Sequence, residues 1–245
     1  MHFGSKQFFL ISFHSNVLSI DLDYIAEPYI QLYCNICNEA SVEKQWDQVF
    51  SNPALTGNNF DINPDNLIYA LDIFSRSLAK CKNVAFGITH DSILFELEDK
   101  DNLNIVNIDH HHDILYPTGQ ARDLEYDIVF EGDWVQYLHK KSKMEKYVWI
   151  RNENSFHLHI NCPTSLEWST YLKTEYRYEM IPDLIFVCLS PTYIPKFHWF
   201  YFKIFMNLYK VFNDDEPRFY KRPYKNNPFG NPMRGHEDFF QKVDA

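Results

Sequence analysis

Basic side chains are scarce in this sequence: Lys and Arg number 23 against 33 Asp and Glu, a formal charge of −10. A phosphate-binding surface needs a basic face, so nucleic-acid recognition finds no support. Long apolar runs are missing too, and none could cross a bilayer. The opening Met-His-Phe-Gly-Ser-Lys, with Phe-Phe-Leu-Ile-Ser-Phe soon after, lacks the small-residue cleavage site of a signal peptide. It reads as a first strand of a cytoplasmic protein. The five cysteines, odd in number and scattered, fit reduced thiols rather than a disulfide framework. No Gly-rich phosphate loop and no Gly-x-Ser-x-Gly elbow is present, which removes nucleotide and serine-hydrolase readings.

What is there suits one large domain, 1–245, with a sizeable core and an irregular segment from about residue 213. Short apolar runs at 17–20, 84–88, 104–108, 147–151, 156–160 and 183–189 read as strands. Their hydrophobicity is continuous rather than alternating, as in strands covered on both faces of a parallel sheet. Stretches at 65–80, 134–143 and 165–174 read as helices, the first with Leu67, Leu71, Phe74 and Leu78 on one stripe. Residues 195–212 read as a C-terminal helix, 40–64 as a loop or insertion, and 213–245 as too rich in Pro and Gly for regular structure. Alternating strands and helices argue for an α/β fold, a three-layer α/β/α domain around a mainly parallel sheet. Aromatics make up 17% of the chain. They fill a core or line a groove for an extended peptide.

The chemistry concentrates at strand ends. Ile-Val-Asn-Ile-Asp109-His110-His111-His112-Asp113 is an apolar run closed by Asp-x-His-x-Asp, and on an extended strand Asp109, His111 and Asp113 share a face. Clustered carboxylates repel unless a cation neutralises them, so this spacing points to a metal site. A second run, Val-Leu-Ser-Ile-Asp21-Leu22-Asp23, puts Asp21 and Asp23 on one face. A third, Val-Ala-Phe-Gly87-Ile88-Thr89-His90, breaks at glycine and delivers His90. Together they offer more ligands than one zinc takes and suit a pair of divalent ions with bridging carboxylates. Cys34-x-x-Cys37 has no second pair to complete a zinc site. His157 and His159 have few carboxylates near them in sequence. His110 and His112 alternate away from the ligand face and read as supporting groups.

These three motifs resemble the ureohydrolases, the arginase and agmatinase enzymes, with one departure. The Asp-x-Asp strand comes first here, where arginases place it after Asp-x-His-x-Asp. That order, the chain length, Asp133-Trp134-Val135 and Lys146-Tyr147-Val148-Trp149-Ile150 are similar to the peptide arginases. The resemblance implies an arginase-like sheet with altered strand order and two manganese ions. Asp109 and Asp21 would bridge them, His90 and Asp113 would complete one, and His111 and Asp23 the other. It implies hydrolysis of arginine side chains in a ribosomally made precursor peptide to ornithine, with Asp109, His111 and Asp113 central to catalysis and neither membrane nor nucleic acid as partner. Arginases hold the guanidinium with a late glutamate, but 189–193 offers none, which leaves Glu131 and Glu27 as candidates. A small-molecule ureohydrolase, a deacetylase-like mononuclear hydrolase and an inactive peptide-binding module are the alternatives.

Overall fold

The structure is a computed structural model that describes residues 14–27, 39–51, 61–114, 129, 131–155 and 166–221, with 39–43 and 131 described by their backbone alone. Its elements in chain order are β1 (Ser15–Asp21), β2 (Ala26–Glu27), α1 (Glu39–Ser51), β3 (Asp61–Ile62), α2 (Pro64–Leu78), β4 (Val84–Gly87) and α3 (Leu94–Leu97). They continue with β5 (Leu103–Asp109), α4 (Trp134–Lys140), β6 (Met144–Arg151), β7 (Glu167–Leu172), β8 (Leu184–Cys188), α5 (Phe200–Phe212) and β9 (Arg218–Tyr220). Seven strands form one sheet in the order β7-β6-β5-β1-β8-β4-β9, and every described pairing in it is parallel. β2 and β3 form a separate antiparallel pair.

The continuous apolar runs are explained by two cores. Leu18, Ile20, Val106, Ile108, Ile185 and Val187 point to one face, where Ile73 and Phe74 of α2 meet Phe202 and Phe205 of α5. Their strand neighbours Val17, Ile105, Tyr147, Trp149 and Phe186 point to the other, against Leu94, Leu97, Trp134 and Leu138 of α3 and α4. Period-two alternation therefore separates two cores rather than a core from solvent. The result is the expected three-layer α/β/α arrangement. Many of the aromatics are core residues: Phe74 meets Phe205 edge-on at 5.1 Å, and Phe86 meets Phe202 at 5.5 Å.

Helix α2 begins one residue before its expected start. Asn63 caps it by accepting from the backbone of Asp65 and Asn66, and Pro64 takes the first helical position. Its buried stripe is Ala70, Ile73, Phe74, Ser77 and Leu78, with Leu67 and Leu71 at the margin.

Three expectations need correction. The stretch 165–174 contains a strand, Glu167–Leu172, not a helix; its Trp, Thr and Tyr favour extended backbone beside β6. The supposed loop 40–64 contains most of α1 and all of β3. Beyond residue 213, Arg218–Tyr220 pairs with β4 as an edge strand, although prolines surround it. The expected opening strand, the run 156–160 and residues 222–245 lie outside the described residues, as do Cys34, Cys37, His157 and His159. Among the described residues no helix is long and apolar enough to cross a membrane.

Phe74 is fully buried between Phe86 and Phe205. Phe74→Ala is expected to lower stability by about 3–5 kcal/mol. Val211→Ala, on the exposed side of α5, should change it by less than about 0.5 kcal/mol. Denaturant unfolding of both variants measures the contrast.

Candidate metal centre

Because the sheet is parallel, its strand ends face one edge, and groups far apart in sequence meet there. β1 and β5 are neighbours, with Ser19 opposite Asn107 and Ile20 opposite Ile108, so Asp21 and Asp109 end adjacent strands. On the other side of β1, β8 ends at Cys188 and β4 at Gly87, next to the turn that carries His90.

All six expected metal-type residues converge at this edge. His90 Nδ1 lies 3.1 Å from Asp21 Oδ2, 3.1 Å from Asp109 Oδ2 and 3.0 Å from Asp113 Oδ2. His111 Nδ1 lies 2.8 Å from Asp23 Oδ2 and 3.8 Å from Asp109 Oδ1. One ring N–H cannot serve three carboxylate oxygens at once. That oxygen-rich grouping has the chemistry of a cation site. Two triads, Asp21/His90/Asp109 and Asp23/Asp109/His111, are each compact enough to hold a metal ion. Asp109 is common to both.

The local backbone differs from the sequence expectation, and this is how the ligands converge. The strands end at Asp21 and Asp109. Asp21 then caps a 3-10 turn, Leu22–Ile25, by accepting from Asp23 N at 3.1 Å, so Asp23 reaches the site from the turn and not from a strand face. After Asp109 the chain bends: His111 N donates to Asp109 Oδ1 at 2.8 Å, and Asp113 takes a left-handed φ of 51°. Aspartate tolerates that conformation better than most residues. A regular strand through Asp113 would have carried it away from the sheet edge at about 3.3 Å per residue.

Each ligand is held from behind. Ser19 Oγ is 2.7 Å from His90 Nε2, and Asn107 Nδ2 donates to Asp109 Oδ2 at 3.0 Å. Both sit two residues before an aspartate on the same strand face. Trp134 Nε1 donates to Asp113 Oδ2 at 2.6 Å, and Ser190 Oγ to Asp21 Oδ2 at 2.6 Å. Ser190 has a left-handed φ of 49° and follows β8. Tyr193, in the same loop, lies over His111 with ring centroids 4.5 Å apart. Gly87 lets the His90 turn close: a β-carbon there would collide with Ser92 Oγ and come 2.6 Å from Phe186, whose ring stacks on His90. Sequence reasoning passed over Asn107, Ser190 and Tyr193. A polar residue inside an apolar strand run, two places before an acid, is the signal that would have found Asn107.

His112 and His110 play supporting parts. His112 Nδ1 accepts from Ile114 N at 3.0 Å, and Tyr147, whose hydroxyl also meets Asn107, donates to the His112 carbonyl at 2.8 Å. His110 N donates to Asp23 Oδ1 at 3.2 Å. Burial lowers both rings, His110 to about 3 and His112 to about 4. Of the two expected guanidinium partners, only the Glu27 side chain is described, and it is engaged away from the cluster. Glu27 accepts from Asn63 Nδ2 at 2.8 Å and Asn154 Nδ2 at 3.3 Å. Glu131 starts the turn Glu131–Asp133, and its side chain lies outside the described residues.

Electrostatics follow the crowding. Burial raises the Asp23 and Asp113 carboxyls well above their usual range. Burial also disfavours the His90 imidazolium, yet Asp113 with Asp109 and Asp21 outweighs it and holds the ring well above its ordinary value. Burial opposes the Asp109 carboxylate too, but His90 hydrogen-bonds it and keeps it low. In the metal-free protein, then, protons on His90, Asp23 and Asp113 offset the negative charge.

Comparison with protein-family models, with curated proteins and with solved structures finds no match to this chain.

Two outcomes follow from this geometry. Trp134→Phe removes the indole donor to Asp113 while keeping an aromatic ring, and should weaken metal binding about 10–100-fold. Equilibrium titration with manganese measures it. Groups with raised folded pKa values stabilise the fold below their unfolded values, and that contribution is lost as pH rises through the folded ones. Asp23, Asp113 and His90 all act in this sense, whereas burial lowers His111, which acts oppositely below the ordinary imidazole range. A bound cation replaces the protons. The gap in Tm between metal-loaded and metal-free protein should therefore widen as pH rises from mildly acidic to neutral, and a narrowing gap is the contrary result.

Proposed function

We propose that this protein holds two manganese ions in the Asp/His cluster and hydrolyses arginine side chains in a peptide to ornithine and urea. The observation that carries the reading is Asp109, which offers Oδ2 to the His90 group and Oδ1 to the His111 group. A carboxylate shared between two ligand triads is what a two-ion site requires. Hard carboxylate oxygens with imidazole favour manganese over a thiolate-seeking metal. When bound, such a pair would lower the pKa of a bound water and supply a nucleophile near neutrality.

The chain's own contribution is position. Ser19 and Asn107 fix the orientation of His90 and Asp109 from below, while Trp134 and Ser190 fix Asp113 and Asp21 from the sides. Tyr193 screens His111 on the face where β8 ends. In the reaction, the oxygen of water bonds to the guanidinium carbon. The bond from that carbon to the side-chain nitrogen breaks, this nitrogen takes a proton to become the ornithine amine, and urea leaves. The resemblance of the three motifs to the peptide arginases supports this chemistry, and the acidic balance of the chain suits a cationic substrate.

Protein loaded with manganese should contain about two ions per chain and release urea from arginine-containing peptides. Each converted arginine should lose one carbon, two nitrogens and two hydrogens, the mass of the urea released less that of the water added. Asp109→Ala should abolish metal binding and turnover together. A single bound ion, or faster turnover of free arginine or agmatine than of any peptide, would overturn the two-ion or the peptide part of the reading respectively.

A further inference from the structure

Arg151 ends β6 directly beside Asp109: the two are register partners on parallel strands, so their side chains leave the sheet on the same face. One rung below, Trp149 Nε1 donates to the Asp109 carbonyl at 3.0 Å. One residue beyond, Asn152 is fully buried and donates to the Tyr24 carbonyl at 2.7 Å, in the turn that carries Asp23. Arg151 is thereby fixed between the strand end that presents Asp109 and the turn that presents Asp23.

Its guanidinium is unusual in this molecule. Among the described residues, Arg76 pairs with Asp72 at 2.7 Å, Arg177 with Glu179 at 2.8 Å and Arg218 with Glu96 at 3.1 Å. Arg151 pairs with no carboxylate among them, in a chain where acids outnumber bases by 33 to 23, and its Nε is buried with no hydrogen-bond partner among them. Ser155, four residues on and 6% exposed, has a buried hydroxyl in the same condition. The segment folds back on itself, with Ser155 N donating to the Asn152 carbonyl at 3.1 Å. Buried polar groups are nearly always paired, and a buried guanidinium nitrogen without a partner is costly. Arg151 is not needed to offset the aspartate cluster once divalent cations occupy it. It calls for an anion of its own, and the planar fork of arginine matches a carboxylate.

We infer that Arg151 receives a carboxylate of the substrate and so sets which arginine is placed at the metal centre, with the Ser155 hydroxyl four residues on as a further donor. This rests on the hydrolytic reading above. The carboxylate has two possible sources, the main-chain terminus of a C-terminal arginine or an acidic side chain next to an internal one.

Calorimetric titration of the manganese-loaded protein tests the inference with two pairs of probes. Acetyl-arginine against acetyl-arginine amide tests the terminal carboxylate. Acetyl-Arg-Asp-amide against acetyl-Arg-Asn-amide tests the side-chain one. At least one acid should bind about tenfold more tightly than its neutral partner, as a charge-assisted fork contact implies. In Arg151→Gln that preference should vanish while manganese content is unchanged. Equal affinity within both pairs in the native protein overturns the inference whether or not the variant folds, and so does a preference that survives in a folded Arg151→Gln. Urea release without any preference defeats this inference and leaves the hydrolytic reading standing. A carboxylate preference without urea release does the reverse.

Discussion

Four carboxylates, Asp21, Asp23, Asp109 and Asp113, are buried within hydrogen-bonding reach of two imidazoles, and the surrounding structure is organised around that repulsion. Charges of one sign withdrawn from water are tolerated only when neutralised. Two means of neutralisation are built in. Protonation serves the metal-free protein, through His90 and the raised aspartates. Cation binding serves the other, through two triads that share Asp109. Hydrogen bonds from Asn107, Trp134 and Ser190 to the aspartates, and one between Ser19 and His90, keep the ligands in place in the absence of either neutraliser's pull.

The sheet makes this gathering possible. In an antiparallel sheet, successive strand ends alternate between edges, and the same aspartates would have been divided between opposite sides of the molecule. With β5, β1, β8 and β4 parallel and adjacent, groups from Asp21 to Ser190 share one edge. The chain passes from β4 on one side of β1 to β5 on the other, the kind of switch point at whose strand ends open α/β sheets generally bind ligands.

Much of this was legible in the sequence, for reasons that can be stated. Fully buried strands have no polar face, so continuous apolar runs ending in acids located β1 and β5 and gave the parallel class. Asp21, Asp109 and His90 stood out because nothing else about those runs calls for a charge. The path beyond the strands was not legible. Asp-x-His-x-Asp has the spacing of one strand face, yet a bend and a left-handed aspartate deliver it. Propensity alone does not distinguish those routes when tertiary hydrogen bonds to Trp134 and Asp23 decide the geometry. The strand Glu167–Leu172 was missed because it is half-exposed and lacks the continuous apolar run of the interior strands. Ser190 was hidden for another reason: its role is set by Asp21, 169 residues away.

The placement of the two outermost strands has its own consequence. β7 and β9 close the sheet, and none of the six cluster residues lies on either. Edge strands fray most readily because they are hydrogen-bonded on one side only, and opening there belongs to the low end of local unfolding energies. β4, which leads to the His90 turn, is an interior strand only because Arg218–Tyr220 pairs along it, fastened to Glu96 by Arg218 at 3.1 Å and by the Tyr220 hydroxyl at 2.5 Å. Three residues from the far end of the described chain thus act as a selvage, confining the fast breathing of the sheet to a margin away from the ligands.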